Sequence, residues 1–184
     1  MHALKWPLIF TTFLAGAASA LPTASTGADS LRRALCTPQD NTGFTVRINS
    51  TDDLNDKIVG IANGVVGVDL PNTESVIWPY TSGRELLMPG PGYKFVYHGY
   101  LYSTGDATDG QQLRFAREVP PATEAQADVF STSCDIRGQF YLTSLADWNW
   151  QACQKQAGGW TIRRESGKGG CRAVRLKMTY GPPY

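Results

Sequence analysis

Residues able to do chemistry concentrate near the C-terminus of this 184-residue chain. Tyr141, Trp148, Trp150 and Trp160 are interleaved there with Asp147, Asn149 and Gln151. A sugar presents an apolar C–H face and a rim of hydroxyls, so it is held by aromatic rings flanked by amides and carboxylates. In an extended chain Trp148-Asn149-Trp150 turns both indoles to one side, because strand side chains alternate with period two. The expected glycan contact is therefore Tyr141, Trp148 and Trp150, with Asp147 and Asn149 donating and accepting hydrogen bonds. The competing use of these aromatics is to fill the core around the cysteines.

Catalysis has fewer handles. His98 is the one histidine beyond the N-terminal leader, and no Gly-x-Ser-x-Gly elbow occurs. Glycoside hydrolysis needs two carboxylates about 5 to 9.5 Å apart, and Asp128, Asp135 and Asp147 lie near aromatics. Any chain with this many acids offers such pairs, so the reading is non-enzymatic. A small glycoside hydrolase and a secreted effector that binds a host protein are the alternatives. No pair of cysteines is spaced C-x-x-C, so neither a metal site nor a cofactor is expected.

The N-terminus carries the clearest signal. Lys5, an apolar run through Phe13-Leu14-Ala15 and the small-residue exit Ala18-Ser19-Ala20 describe a secretory signal peptide, 1–20, cut after Ala20. The run is too short for a helix across a hydrocarbon core of about 30 Å, so no membrane span is expected. Residues 21–33 read as a pro-segment ending in the dibasic Arg32-Arg33, with a second cut after Arg33. The folded unit is then 34–184, long enough for one domain with its own core. Removal of Lys5, Arg32, Arg33 and Asp29 leaves 14 basic and 15 acidic residues, a balance that argues against nucleic acid. Arg163, Arg164, Lys168, Arg172, Arg175 and Lys177 nevertheless form a local basic strip. In an oxidising route Cys36, Cys134, Cys153 and Cys171 imply two disulfides, with three pairings open. Asn49-Ser50-Thr51 is an N-glycosylation acceptor pattern.

The elements that must position these groups read as short strands. Val174, Leu176, Met178 and Tyr180 alternate with Ala173, Arg175, Lys177 and Thr179, the pattern of a half-buried strand. Ala62-Asn63-Gly64 marks a hairpin between apolar runs. His98-Gly99 suggests another, and Ala122 to Ala127 is the one place for a helical turn. The expected fold is all-β: a single compact sandwich or barrel with two disulfides, a β-trefoil being the alternative.

Val129-Phe130, Cys134, Gly138-Gln139-Phe140-Tyr141-Leu142, Cys153 and a closing apolar strand resemble the C-terminal four-cysteine domain of the PIR cell-wall proteins of fungi. Lys57 to Asn63 is loosely similar to a further element of that group, and Gly99-Tyr100-Leu101-Tyr102 to the phialide-type wall proteins. Three residues separate Cys134 from Gly138 where the family has two, and the family's glutamine-rich repeats are missing. The resemblance implies a non-enzymatic, wall-associated protein; it does not extend to covalent glucan attachment. The expected partner is cell-wall polysaccharide, met by a secreted monomer.

Overall fold

Alternation in the sequence becomes alternation of inside and outside. In the first strand, β1 (Phe44–Asn49), Phe44, Val46 and Ile48 are fully buried, while Thr45, Arg47 and Asn49 look outward. Thirteen further strands follow in the computed structural model, which describes residues 36–181 apart from 38, 40, 74, 78, 91–93, 104, 106–108, 146–148, 165, 166 and 168. They are β2 (Gly60–Ala62), β3 (Val65–Val68), β4 (Ser75–Val76), β5 (Tyr80–Ser82), β6 (Glu85–Pro89), β7 (Val96–Ser103), β8 (Gln111–Ala116) and β9 (Ala125–Gln126). The C-terminal part adds β10 (Phe130–Cys134), β11 (Phe140–Ser144), β12 (Trp150–Gln154), β13 (Trp160–Arg164) and β14 (Cys171–Tyr180). The leader, the pro-segment and both cleavage sites lie outside the described residues.

All pairings are antiparallel, and ten strands follow one path: β10, β11, β14, β12, β13, β3, β8, β7, β6, β5. Its two ends meet where the Phe130 N–H donates to the Arg84 carbonyl at 3.0 Å, so the sheet is a nearly closed barrel. Of the architectures expected, the barrel-like one is realised. The long β14 is its spine: residues 171–174 pair with β12, and 175–180 pair with β1. Val174, Leu176 and Met178 point inward as their spacing predicts, beside Leu101, Leu113, Trp150 and Ile162.

Two local readings change. Residues 62–65 form the predicted hairpin, with Asn63 and Gly64 both at positive φ. A side chain at Gly64 would also strike the Phe115 carbonyl. His98-Gly99, by contrast, is no turn but the middle of the continuous β7. Gly99 faces Leu86 across the strands, and a Cβ there would stand 2.9 Å from the leucine side chain. Glycine serves close packing at that point, not reversal of the chain. The helical reading of 122–127 shrinks to a single turn, Glu124 and Ala125 N–H donating to the Pro121 carbonyl at 2.9 and 3.1 Å, after which the chain runs on as the two-residue β9 against β7. Among the described residues no helix is long and apolar enough to cross a membrane.

Two disulfides form, Cys36–Cys134 and Cys153–Cys171. The first ties the chain ahead of β1 to the end of β10. The second joins residues that face each other across β12 and β14.

Candidate functional site

The described residues line a cleft of about 430 Å³ on the outer wall of the barrel, built on β12 and β13. Strand alternation puts Trp150, Ala152 and Ile162 inside, and so Cys153, Thr161 and Arg163 outside. Cys171, Cys153 and Thr161 are aligned in register across three strands, and their row forms part of the wall. One lip is the polar turn after β12, with Gln154, Lys155 and Gln156. Its Lys155 N–H donates to the Gly159 carbonyl at 3.0 Å. Gly169, just before β14, and Asp109, just before β8, complete the rim.

Arg163 is the fixed polar centre. Its Nη1 donates to the Asp109 carbonyl at 2.8 Å and lies 3.3 Å from the Asp109 carboxylate, with both side chains mostly buried. Its Nε donates to Thr161 Oγ1, which in turn donates to the Cys153 carbonyl. The guanidinium is thereby held at three points, while the amides of Gln154 and Gln156 stand exposed beside it. The cleft thus combines donors, acceptors and an apolar patch of disulfide and Ala157, which suits a hydroxyl-rich ligand.

Of the residues expected to bind glycan, the structure describes Tyr141, Asn149 and Trp150, and two of these are buried. Trp150 is 1% exposed, inside the barrel, and its indole N–H donates to the Leu142 carbonyl at 2.8 Å. Its face is core, so the expectation that it contacts a ligand is corrected. Tyr141 is 4% exposed, and its hydroxyl sits between Asn49 Nδ2 at 2.9 Å and Asp135 Oδ2 at 3.4 Å. Burial raises the Tyr141 phenol above its ordinary pKa, and the Asp135 charge adds to that, so it stays neutral. This too corrects an expected contact residue. Asn149 is exposed, whereas Asp147 and Trp148 lie outside the described residues. Trp160 is half-buried beneath the Arg172 guanidinium, 4.5 Å from its ring centre.

Of the candidate carboxylates, Asp135 caps the β10–β11 turn by accepting the Arg137 and Gln139 N–H groups. Asp128 is exposed ahead of β10, and His98 faces Leu87 and Ala116 within the sheet. Among the described residues, no group of three His, Cys, Asp or Glu side chains gathers as a metal site. Three of the six residues of the basic strip are ion-paired: Arg163 with Asp109, Lys177 with Asp56, and Arg172 with both Asp52 and Asp53, while Lys168 lies outside the described residues. Hydrogen bonds from Ser50 and the Leu54 N–H, then the Arg172 charge, hold the Asp52 carboxyl below its ordinary pKa. Arg164 is buried on the inner face of β13.

No protein-family model, curated protein or solved structure matches the chain.

Asn49 raises a separate question. The Nδ2 that would carry a glycan is half-buried at the end of β1 and engaged by Tyr141. A glycan on that nitrogen takes one of its two hydrogens and competes with the bond to the buried phenol. The expected result is a secreted chain whose mass is unchanged by peptide N-glycosidase, with Asn49→Ala less stable by about 1 kcal/mol through the lost bond. A mass drop of one whole glycan on enzyme treatment would contradict it.

Proposed function

We propose that this chain is a secreted, non-enzymatic glycan-binding protein of the cell wall or extracellular matrix, and that it binds through the cleft between β12, β13 and Asp109. The observation that carries the reading is the fixed Arg163–Asp109 pair set among exposed amides on the outer wall. Charge compensation inside the pair leaves directional hydrogen bonding as its main offering, which fits hydroxyls better than a densely anionic polymer. Asp109 is the one carboxylate among the described lining residues, and it is engaged by Arg163. That supports binding over glycoside hydrolysis, which uses a pair. Two disulfides and the signal-peptide pattern support an extracellular setting.

The test is a pull-down of the purified secreted protein on insoluble β-1,3-glucan, chitin and cellulose. Retention on at least one is expected. Arg163→Ala, which removes a charged hydrogen-bonding group worth about 1.5 to 3 kcal/mol, should weaken retention tenfold or more. Gln154→Ala serves beside it as an exposed substitution that leaves the Asp109 pair intact. No retention on any of the three points to the protein-binding effector instead.

A further inference from the structure

We propose that Cys153–Cys171 is a reducible latch on the cleft: an extracellular thiol that opens it reshapes the binding wall while the barrel stays folded. The consequence for glycan uptake rests on the function proposed above, but the latch itself does not. Both cysteines line the cleft, Cys171 half-buried and Cys153 buried beside it, which puts the bond in the cleft wall. Cys36 and Cys134 are not among the described lining residues.

What the bond encloses gives it this role. Seven of the ten described lining residues belong to the segment 154–170, between the two cysteines. The lips at 154–158 and 169–170 are exposed. Backbone bonds hold them: Lys155 N–H to Gly159, Gly158 N–H to Lys155 and Gln154 N–H to Gly170. Such segments open locally at little free energy once a covalent tie is gone. The strands beneath are anchored differently. Trp150, Ala152, Ile162 and Val174 are buried in the main core, and β12 has backbone ladders to β13 and β14 in addition to the sulfur bridge.

The step is ordinary thiol–disulfide exchange. A thiolate attacks one sulfur of the Cys153–Cys171 bond, a mixed disulfide forms, and the other cysteine leaves as a thiolate. A second thiol displaces the first from the mixed disulfide. The bond has then taken up two electrons and two protons, and the small thiol has become its own disulfide.

The experiment treats the intact secreted protein with graded dithiothreitol, alkylates the freed thiols and maps them by peptide mass. Hydrogen exchange is recorded on the same samples. Cys153 and Cys171 should be alkylated before Cys36 and Cys134. Exchange should then quicken at least tenfold in 155–159, 169 and 170, with β1, β8 and the 174–180 part of β14 still protected. A Cys153→Ser, Cys171→Ser double variant should reproduce that exchange pattern without reductant. Prior reduction of Cys36–Cys134, unchanged exchange in 154–170, or loss of protection throughout would each overturn the latch. Polysaccharide retention measured alongside separates the two ideas. No retention by the oxidised protein counts against the proposed function and leaves the exchange result to judge the latch. Equal retention in both redox states removes the latch's control over uptake.

Discussion

Trp150→Ala should cost about 3 to 5 kcal/mol of stability, the range for removing a buried large aromatic side chain. The indole fills the barrel beside Leu142, Val174 and Ile162, so its loss opens a void that close-packed neighbours cannot fill. It also removes the hydrogen bond that the Leu142 carbonyl accepts from the indole N–H at 2.8 Å. Domains of this size are stable by about 5 to 15 kcal/mol, so the variant stands near the limit of folding. Urea denaturation followed by circular dichroism measures the effect. Trp150→Phe keeps most of the volume and loses the hydrogen bond, so its midpoint should fall between those of wild type and Trp150→Ala. An unchanged midpoint for Trp150→Ala would mean that the ring is not core. A folded Trp150→Phe that keeps full polysaccharide retention would complete the separation of this residue from binding.

Opening Cys36–Cys134 should cost nearly as much. The bond spans 98 residues of sequence, and the chain-entropy relation for a loop of that length gives about 4.7 kcal/mol, against about 3 for a loop the size of the one closed by Cys153–Cys171. The physical content is the confinement of the unfolded chain, with a local part in the native state. Cys36 holds the segment that leads into β1, where Asn41 N–H donates to Thr81 and Phe44 N–H to Pro79. Those bonds fasten β1 to the β5 side of the barrel seam. A Cys36→Ser, Cys134→Ser double variant should therefore lose more guanidinium stability than the Cys153→Ser, Cys171→Ser pair. The reverse order would show that native contacts, not loop length, set the worth of each bridge.

Legibility followed the range of the interaction. Strands with one wet face declared themselves: β14 and β1 alternate residue by residue, and the Asn63-Gly64 hairpin needs only its own two residues to explain it. Gly99 misled because its reason is Leu86 on another strand, a packing fact with no local mark. The same distinction governs the site. Tyr141 and Trp150 are two of the aromatics that made the C-terminal stretch look like a sugar platform, but one pairs with Asn49 and the other with the Leu142 backbone. Aromatic content is visible in sequence, whereas which face each ring takes depends on strand phase. Phase was in fact available for β13: Trp160-Thr161-Ile162-Arg163 alternates, and an inward Ile162 sends Thr161 and Arg163 outward. The partner of Arg163 was not, since Asp109 lies 54 residues away. Four cysteines in a secreted chain announced two bridges, and only the folded register chose their pairing.

Ligand entry beside Arg163 can be read residue by residue from amide shift mapping by nuclear magnetic resonance. A soluble oligosaccharide of whichever polysaccharide retains the protein is titrated into the labelled chain. Shifts should concentrate at 153–157, 161–163, 169–171 and Asp109, with Tyr141 and Trp150 unmoved. Shifts centred on Tyr141, Asn149 and Trp150 instead, or none at saturating oligosaccharide, would contradict it.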